Sequence, residues 1–489
     1  MPGSNDKVSG DDLRGWIDQA NRLGELVSID GVDWNLEMGV LGEEFSLRSG
    51  GRKPTLLFDK IPGFPKGYRV NINQLNTVSR IALTLGLPVD LDERRFVQNW
   101  SDFFRNIRSV PVNEVENGPI LENVYEGDQI DLLKFPAPHW HEHDGGRYIG
   151  TAGLTLMKDQ NEGREWINCG VYRSMILSKD TLSLYVIPGK NASIIISKYL
   201  KAGKNVPVVM TFGQDPLLFL VSILDLPYGQ PELEFAGGVR GTGIEVLKGK
   251  YTSLPIPSKA EIAIEGELIL TEKAPEGPFG EWTGYYASGQ RPEPIVKVKR
   301  LLHRNDPILC GSPTFRPPTG TNLMQGLTRS AVVWEGLEKA GVPGVTSVRC
   351  HAMAGHRFLI ILSITQLYPG HARQAALVAS QVPGAGLMSK YIIVVDEDID
   401  IYNTDEVLWA LCTRSDPEVS IDVLRRCWGS PMDPMSAGQS ASFTSRAIID
   451  ACIPFERRDT FPKIVRTSSE TYRSIVEKYE RELGRSGIS

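Results

Sequence analysis

Cysteine is scarce in this chain: six residues in 489, at positions 169, 310, 350, 412, 427 and 452, with no CxxC pair. That scatter argues against a disulfide frame or a zinc ribbon and marks the thiols as buried or free. No apolar run is long enough to cross a bilayer. Charge of neither sign dominates, since 53 Lys and Arg stand against 59 Asp and Glu for a formal net charge of -6. There is thus no electrostatic case for nucleic acid or an anionic membrane as partner. Gly-x-Gly-x-x-Gly in a strand-turn-helix context, the P-loop string and Gly-x-Ser-x-Gly are all missing. Their absence sets aside a dinucleotide site, a nucleotide phosphate loop and a nucleophile elbow. Solenoid-spaced repeats and low-complexity tracts are absent as well.

What is present belongs to a globular protein, 41% hydrophobic and 23% charged. A chain of this length divides into two to four domains. Its opening, Met-Pro-Gly-Ser-Asn-Asp-Lys, lacks the charged-then-apolar pattern of a secretory signal, and the expected location is cytoplasmic. Residues 11 to 27 place Leu13, Trp16, Ile17, Ala20, Leu23 and Leu26 at helical spacing behind Asp11 and Asp12. Thr55 to Phe58 and Tyr68 to Ile72 read as strands, and Thr77 to Leu87 as a helix, which makes a small α/β unit. From Asp128 to about Val298 short β segments recur at Thr151 to Met157, Val208 to Phe212, Leu217 to Ile223 and Glu261 to Leu270, with a helix from about Ala192. Beyond Ile308 helix and strand alternate: Leu323 to Lys339 and Gly370 to Ser380 as helices, Val345 to Cys350, Phe358 to Ser363 and Tyr391 to Val395 as strands, then Thr404 to Cys412 as a helix. Ser468 to Leu483 is a charged helix with too few apolar positions for a core of its own, and is expected to pack on another subunit or domain.

Two separated strings concentrate the chemistry. Asn168-Cys-Gly-Val-Tyr-Arg173 offers one cation, and Glu276-Gly-Pro-Phe-Gly-Glu281 offers two acids on a turn that Gly277, Pro278 and Gly280 keep from being helical. If Arg173 meets that turn, its planar guanidinium can hold a carboxylate while one glutamate orients it and the other moves a proton. Taken singly, the same residues are an ordinary tight turn and a solvated arginine. A rival centre is His139-Trp-His141-Glu-His143, three imidazoles at alternate positions that would serve a zinc-dependent hydrolase or lyase. Pro136 and Pro138 before it and Asp144-Gly-Gly146 after it disturb the strand that such a site needs.

From about Leu13 to Pro462 the chain resembles the UbiD-like family of reversible decarboxylases that use prenylated FMN. The likeness is carried by Phe135 to Thr151, Asn168 to Arg173, the acidic string Glu232 to Gly241 read as a strand and turn, Glu276 to Glu281, Lys390 to Asp400, Thr413 to Glu418, and Trp428 to Pro434, in this order. The resemblance implies an α/β (α+β) fold: an α/β region over 1–110, a β-rich split-barrel-like flavin-binding domain over 111–305, a C-terminal α/β domain over 306–450 for oligomerisation and the pocket wall, and a linker and helix over 451–489. It also implies non-oxidative decarboxylation by covalent catalysis, the flavin serving as electron sink, with Arg173 positioning the carboxylate, Glu276 tied to Arg173, and Glu281 giving the proton. Cofactor contacts fall on Asn168, Val171, Tyr172, Arg173, Lys190, Asn191, Glu232 and Lys390. A divalent ion, Mn²⁺ or Mg²⁺, falls to Asn168, Asn191 and Glu232, although Asn191 stands where many members carry histidine and an amide is the harder ligand. K⁺ is implied near Val221, Ser222 and Leu224 together with Glu232. The implied partners are a small carboxylic acid, a flavin prenyltransferase and a second copy of the chain. Thr319 to Gln325 and Pro434 to Gln439 lack the acidic pair of some relatives, and small Ser436, Ala437 and Gly438 leave room for a flat ring. The expected substrate is therefore an aromatic or heteroaromatic acid, with an acrylic-type acid as the alternative, and a non-catalytic scaffold has no need of Arg173, Glu276 and Glu281.

Overall fold

The computed structural model describes residues 11–47, 53–160, 166–436 and 443–479. Its opening helix, Leu13–Arg22, is capped by the Asp12 carboxylate, which accepts from Gly15 N. The helix stops short of the expected 27, because Gly24 takes φ +70° and Leu26 begins the strand Leu26–Asp30. That strand runs parallel to Thr55–Asp59, which pairs with Arg69–Ile72, and Ile308–Gly311 completes this first sheet. A strand from far along the chain thus ties the N-terminal unit to the central one.

The central sheet orders its strands as Asn123–Glu126, Arg291–His303, Ile262–Glu276, Val206–Thr211, Leu154–Asp159 and Trp166–Gly170. Its spine is the long hairpin Ile262–Glu276 with Arg291–His303, bulged at Glu265/Gly266 and Ile269/Lys273. Bulges add bend and twist to a paired ribbon, and here the sheet curls. After Gly170 the chain turns back so that Thr181–Ser183 pairs with Arg291–His303, while Tyr185 N donates to Arg173 O and Ser183 N to Met175 O. The segment 173–185 therefore bridges the last strand of the sheet to its long hairpin, giving the split-barrel form.

Two expected β segments are helical. Leu217 to Ile223 lies in the helix Pro216–Ile223, where the Asp215 carboxylate caps Leu217 N and Pro216 occupies the first turn. Six of its eight residues are buried, which erased the polar alternation that separates a strand from a short core helix. Glu232 to Gly241 is the helix Glu232–Arg240, with acids in its first turn and Gly241 at φ +80° closing it.

The C-terminal unit is a five-stranded sheet ordered Val345–Cys350, Leu359–Ile364, Tyr391–Asp396, Phe443–Asp450 and Ile421–Trp428. The helix Gly320–Lys339 lies against its first strand and against the helix Glu93–Asn106 of the N-terminal unit. Asp225 clasps the central unit to it. The carboxylate accepts from Arg329 Nε and Nη2 at 3.2 and 3.0 Å and from Arg357 Nη2 at 2.9 Å, and also pairs with Lys190. Burial pushes the Asp225 carboxyl up, but Arg357, Lys190 and Arg329 outweigh it and hold it well below the usual carboxylate range. The terminal helix Ser469–Lys478 buries none of its residues and leaves Tyr472 and Ile475 in solvent; residues 480–483 of the expected helix lie outside those described. No described helix is long and apolar enough to cross a membrane.

Replacing Asp225 by Asn strands three cations around a neutral amide. The expected loss is about 3–5 kcal/mol of stability, read as a fall in the calorimetric midpoint. A group with a depressed folded pKa stabilises above its unfolded value, so the difference from the parent protein should shrink as pH falls towards and below 3.8, the ordinary value.

Candidate active site

A cavity of about 870 Å³ lies between the central and C-terminal units, and the curl of the sheet places Arg173 on its wall. Three residues beyond the strand Trp166–Gly170, Arg173 meets the far end of the long hairpin. Its Nε and Nη2 donate to the two oxygens of Glu276 at 2.8 and 2.9 Å, and its Nη1 to Glu281 Oε1 at 2.7 Å. The three side chains are 8%, 0% and 6% exposed. The meeting expected from the two strings is thus formed, with Glu276 closing the strand and Glu281 standing in the turn beyond it.

Charge and hydrogen bonding differ between the two acids. Glu276 takes the forked face of the guanidinium and also accepts from Tyr148 OH at 3.0 Å. Glu281 receives a single N–H, and its Oε2 has no hydrogen-bond partner among the described residues. Burial raises the Glu281 pKa against the pull of Arg173, so this carboxyl keeps its proton to higher pH than an ordinary glutamate. Burial lowers the Arg173 pKa, but Glu281 and Glu276 outweigh it, and the guanidinium stays charged. It also lies 4.3 Å over the Tyr185 ring and 5.2 Å over Phe279. Tyr148 and Tyr185 carry no string that sequence reading singles out as catalytic; only the curl brings them here.

Asn168 and Glu232 also meet, Asn168 Nδ2 donating to Glu232 Oε1 at 2.8 Å and Cys169 N to Oε2 at 2.8 Å. Tyr172 OH donates to Asn168 Oδ1 at 3.3 Å. Glu232 is 4% exposed and burial, opposed only by neutral donors, pushes its pKa to about 8. Val171, Lys190 and Asn191 line the same cavity. The helix Asn191–Lys201 begins there with no side-chain cap, leaving first-turn N–H groups for an anion. A buried carboxyl answered only by amides suits a cation, and an uncapped helix start beside Lys190 suits a phosphate. The residues therefore fit a phosphate-bearing cofactor with its metal ion. Ser222 and Leu224 reach the cavity wall, whereas Val221 O accepts from Leu224 N.

Lys390 stands outside this cluster. Asp433 holds its ammonium at 2.8 Å and Phe358 lies beneath it at 4.4 Å, in an adjoining recess that shares Arg446 with the cavity. The histidine string does not converge on one ion: His139 Nδ1 bonds Asn35 Oδ1 at 2.8 Å and Nε2 bonds Asp144 O at 3.1 Å, while His143 packs on the Tyr286 ring. Among the described residues no three His, Cys, Asp or Glu side chains form a metal cluster. Ser436 is buried, and Ala437 to Gln439 lie outside the described residues.

Sequence relatives give this site its class, that of a carboxy-lyase. Three family models match in sequence order: the 3-octaprenyl-4-hydroxybenzoate carboxy-lyase N-terminal domain over residues 17–100, its Rift-related domain over 113–317 and its C-terminal domain over 322–451. The chain is 34% identical to the pyrrole-2-carboxylic acid decarboxylase of Pseudomonas aeruginosa over 422 residues, 83% of each chain. Its structure is similar to the closed form of the vanillic acid decarboxylase of Sedimentibacter hydroxybenzoicus, with a TM-score of 0.87 at 27% identity, covering 96% of this chain and 99% of that one. It is also similar to an evolved dimeric form of HmfF from Pelotomaculum thermopropionicum in complex with prFMN, with a TM-score of 0.78 at 26% identity over 94% and 98% of the two chains. The chain belongs to the UbiD family of carboxy-lyases.

The turn that carries Glu281 is held by backbone alone at one point. Gly145 N donates to Pro278 O at 2.8 Å, and a Cβ at Gly145 would lie 2.2 Å from Gly277 O. Gly145→Ala should displace the turn and cut kcat by about 100-fold while the fold, followed by circular dichroism, persists; unchanged kcat would show that the turn is placed by other contacts.

Proposed function

We propose that the protein is a non-oxidative, reversible decarboxylase of an aromatic or heteroaromatic carboxylic acid, dependent on prenylated FMN. The observation that carries this reading is the buried Arg173 shared between Glu276 and Glu281 on the cavity wall. Prenylated FMN supplies the electron sink without which CO₂ loss from an sp² carbon leaves an unstabilised carbanion. Asn168, Val171, Tyr172, Arg173, Lys190, Asn191 and Glu232 would hold it, with Mn²⁺ or Mg²⁺ on Asn168, Asn191 and Glu232 and K⁺ beside Ser222 and Leu224. Lys390 would join them by exchanging Asp433 for the phosphate.

The protein's own work is positioning and proton transfer. Arg173 orients the substrate carboxylate, and Glu276 with Tyr148 keeps the guanidinium in place. Ile187, Phe279, Trp282, Leu387 and Met432 supply apolar wall that fits a flat ring and excludes water from the reacting carbon. Each turnover consumes one proton as the acid anion becomes CO₂ and a neutral ring with a new C–H bond, and Glu281 Oε2 delivers it. Supply of the cofactor by a flavin prenyltransferase in the cytoplasm completes the scheme, as does a homodimer; exposed Tyr472 and Ile475 on the terminal helix favour a second copy.

Protein co-expressed with a flavin prenyltransferase should release CO₂ from members of a panel of aromatic and heteroaromatic acids, and Glu281→Gln should cut that release by at least about 10³-fold with cofactor retained by mass spectrometry. Absence of any flavin under such co-expression would sink the reading. Because burial raises the Glu281 pKa, kcat should hold steady at low pH and fall as pH rises through a midpoint above 4.5, the ordinary glutamate value. A midpoint at or below that value would remove Glu281 from the donor role.

A further inference from the structure

His356 sits on the cavity wall although it is only 1% exposed. It adopts φ +57°, a region that L residues other than Asn, Asp and His rarely enter, and its ring packs 4.7 Å from that of Trp282, the residue after Glu281. Asn322 sets its tautomer. The Asn322 Oδ1 accepts from Thr319 N at 3.1 Å and from Thr319 Oγ1 at 2.7 Å, and its Nδ2 donates to Trp282 O at 3.3 Å. A backbone N–H on one side and a backbone carbonyl on the other leave the amide one orientation. Asn322 Nδ2 therefore donates to His356 Nδ1 at 3.0 Å, Nδ1 carries no proton, and Nε2 does. The ring is neutral, since burial together with Arg329 and Arg357 holds its pKa well below the ordinary histidine value. Nε2 has no hydrogen-bond partner among the described residues, nor does it belong to their sealed, unpartnered atoms. A donor fixed in this way and open to the cavity awaits an acceptor.

We propose that His356 is a specificity-determining residue, its Nε2–H donating to an oxygen borne on the substrate ring. The proposal rests on the decarboxylase reading and adds the substrate class: acids whose ring carries a hydroxyl or alkoxy oxygen, in preference to the bare ring. A neutral donor suits a neutral oxygen acceptor, whereas a second carboxylate calls for a cation. Asn322 is a positioning residue that fixes the donor without reaching the ligand.

The cofactor-loaded protein would be titrated calorimetrically with benzoate, with 2-, 3- and 4-hydroxybenzoate and with 3- and 4-methoxybenzoate. At least one oxygenated acid should bind about 10- to 100-fold more tightly than benzoate, a range of one charge-free hydrogen bond left unmade. His356→Phe should bring that ratio towards one, and His356→Gln, which keeps a side-chain N–H, should restore part of it. Histidine-labelled ¹⁵N spectra should show the Nε2–H tautomer of His356, with that signal moved by the preferred acid more than by benzoate. A ratio near one in the parent protein, a ratio unchanged in His356→Phe, or an Nδ1–H tautomer overturns the inference. Binding and turnover separate the two readings: a preference abolished in His356→Phe without CO₂ release from any acid would fail the decarboxylase reading alone. Release with a preference that survives the substitution would fail the inference alone.

Discussion

A guanidinium taken out of water costs several kcal/mol unless its charge is answered where it lies, and Arg173 is answered by two carboxylates and two aromatic faces. This arrangement constrains everything around it. Two ionised acids against one cation would leave a net negative charge in a dry pocket, so the less well bonded of the two, Glu281, is the one burial drives towards its neutral form. The asymmetry between a forked pair at Glu276 and a single N–H at Glu281 thus separates two chemically identical side chains, one firmly held and one more readily protonated.

The sheet exists in its curled form to make that encounter. Glu276 ends a strand whose neighbours in order are Val206–Thr211, Leu154–Asp159 and Trp166–Gly170, so in a flat sheet the segment after Gly170 would stand three strands away. The bulged hairpin and the pairing of Thr181–Ser183 with Arg291–His303 bring the segment home. Tyr185 is drawn in by the same closure and lies over the guanidinium, while Tyr148 bonds Glu276 and packs on Phe279.

How far this was legible in the chain depended on the kind of signal. The strings around Arg173 and Glu276 to Glu281 carried unusual residue types among chain breakers, and family likeness added their relation; both acids and the cation are found together. Periodicity located helices such as Gly320–Lys339 and strands such as Tyr391–Asp396. It failed where burial is complete on all sides, as at Pro216–Ile223, and where a glycine-rich acidic string hid a helix, as at Glu232–Arg240. Long-range electrostatics were invisible: nothing local to Lys390 announces that Asp433, 43 residues on, captures it, and nothing near Asp225 announces Arg329 or Arg357. His139, for which the flanking prolines already favoured a structural role, spends its two nitrogens on Asn35 and a backbone carbonyl.

The cavity draws its reactive groups and its far wall from different parts of the chain. Arg173, Glu276 and Glu281 stand on the curled sheet, while Leu387, Met432 and His356 come from the unit that Asp225 clasps to it. Such a division lets the two halves change at different rates in evolution. Substitutions in the far wall can reshape the cavity without touching Arg173, Glu276 and Glu281, so the lining can diverge across a lineage while the charged cluster stays still.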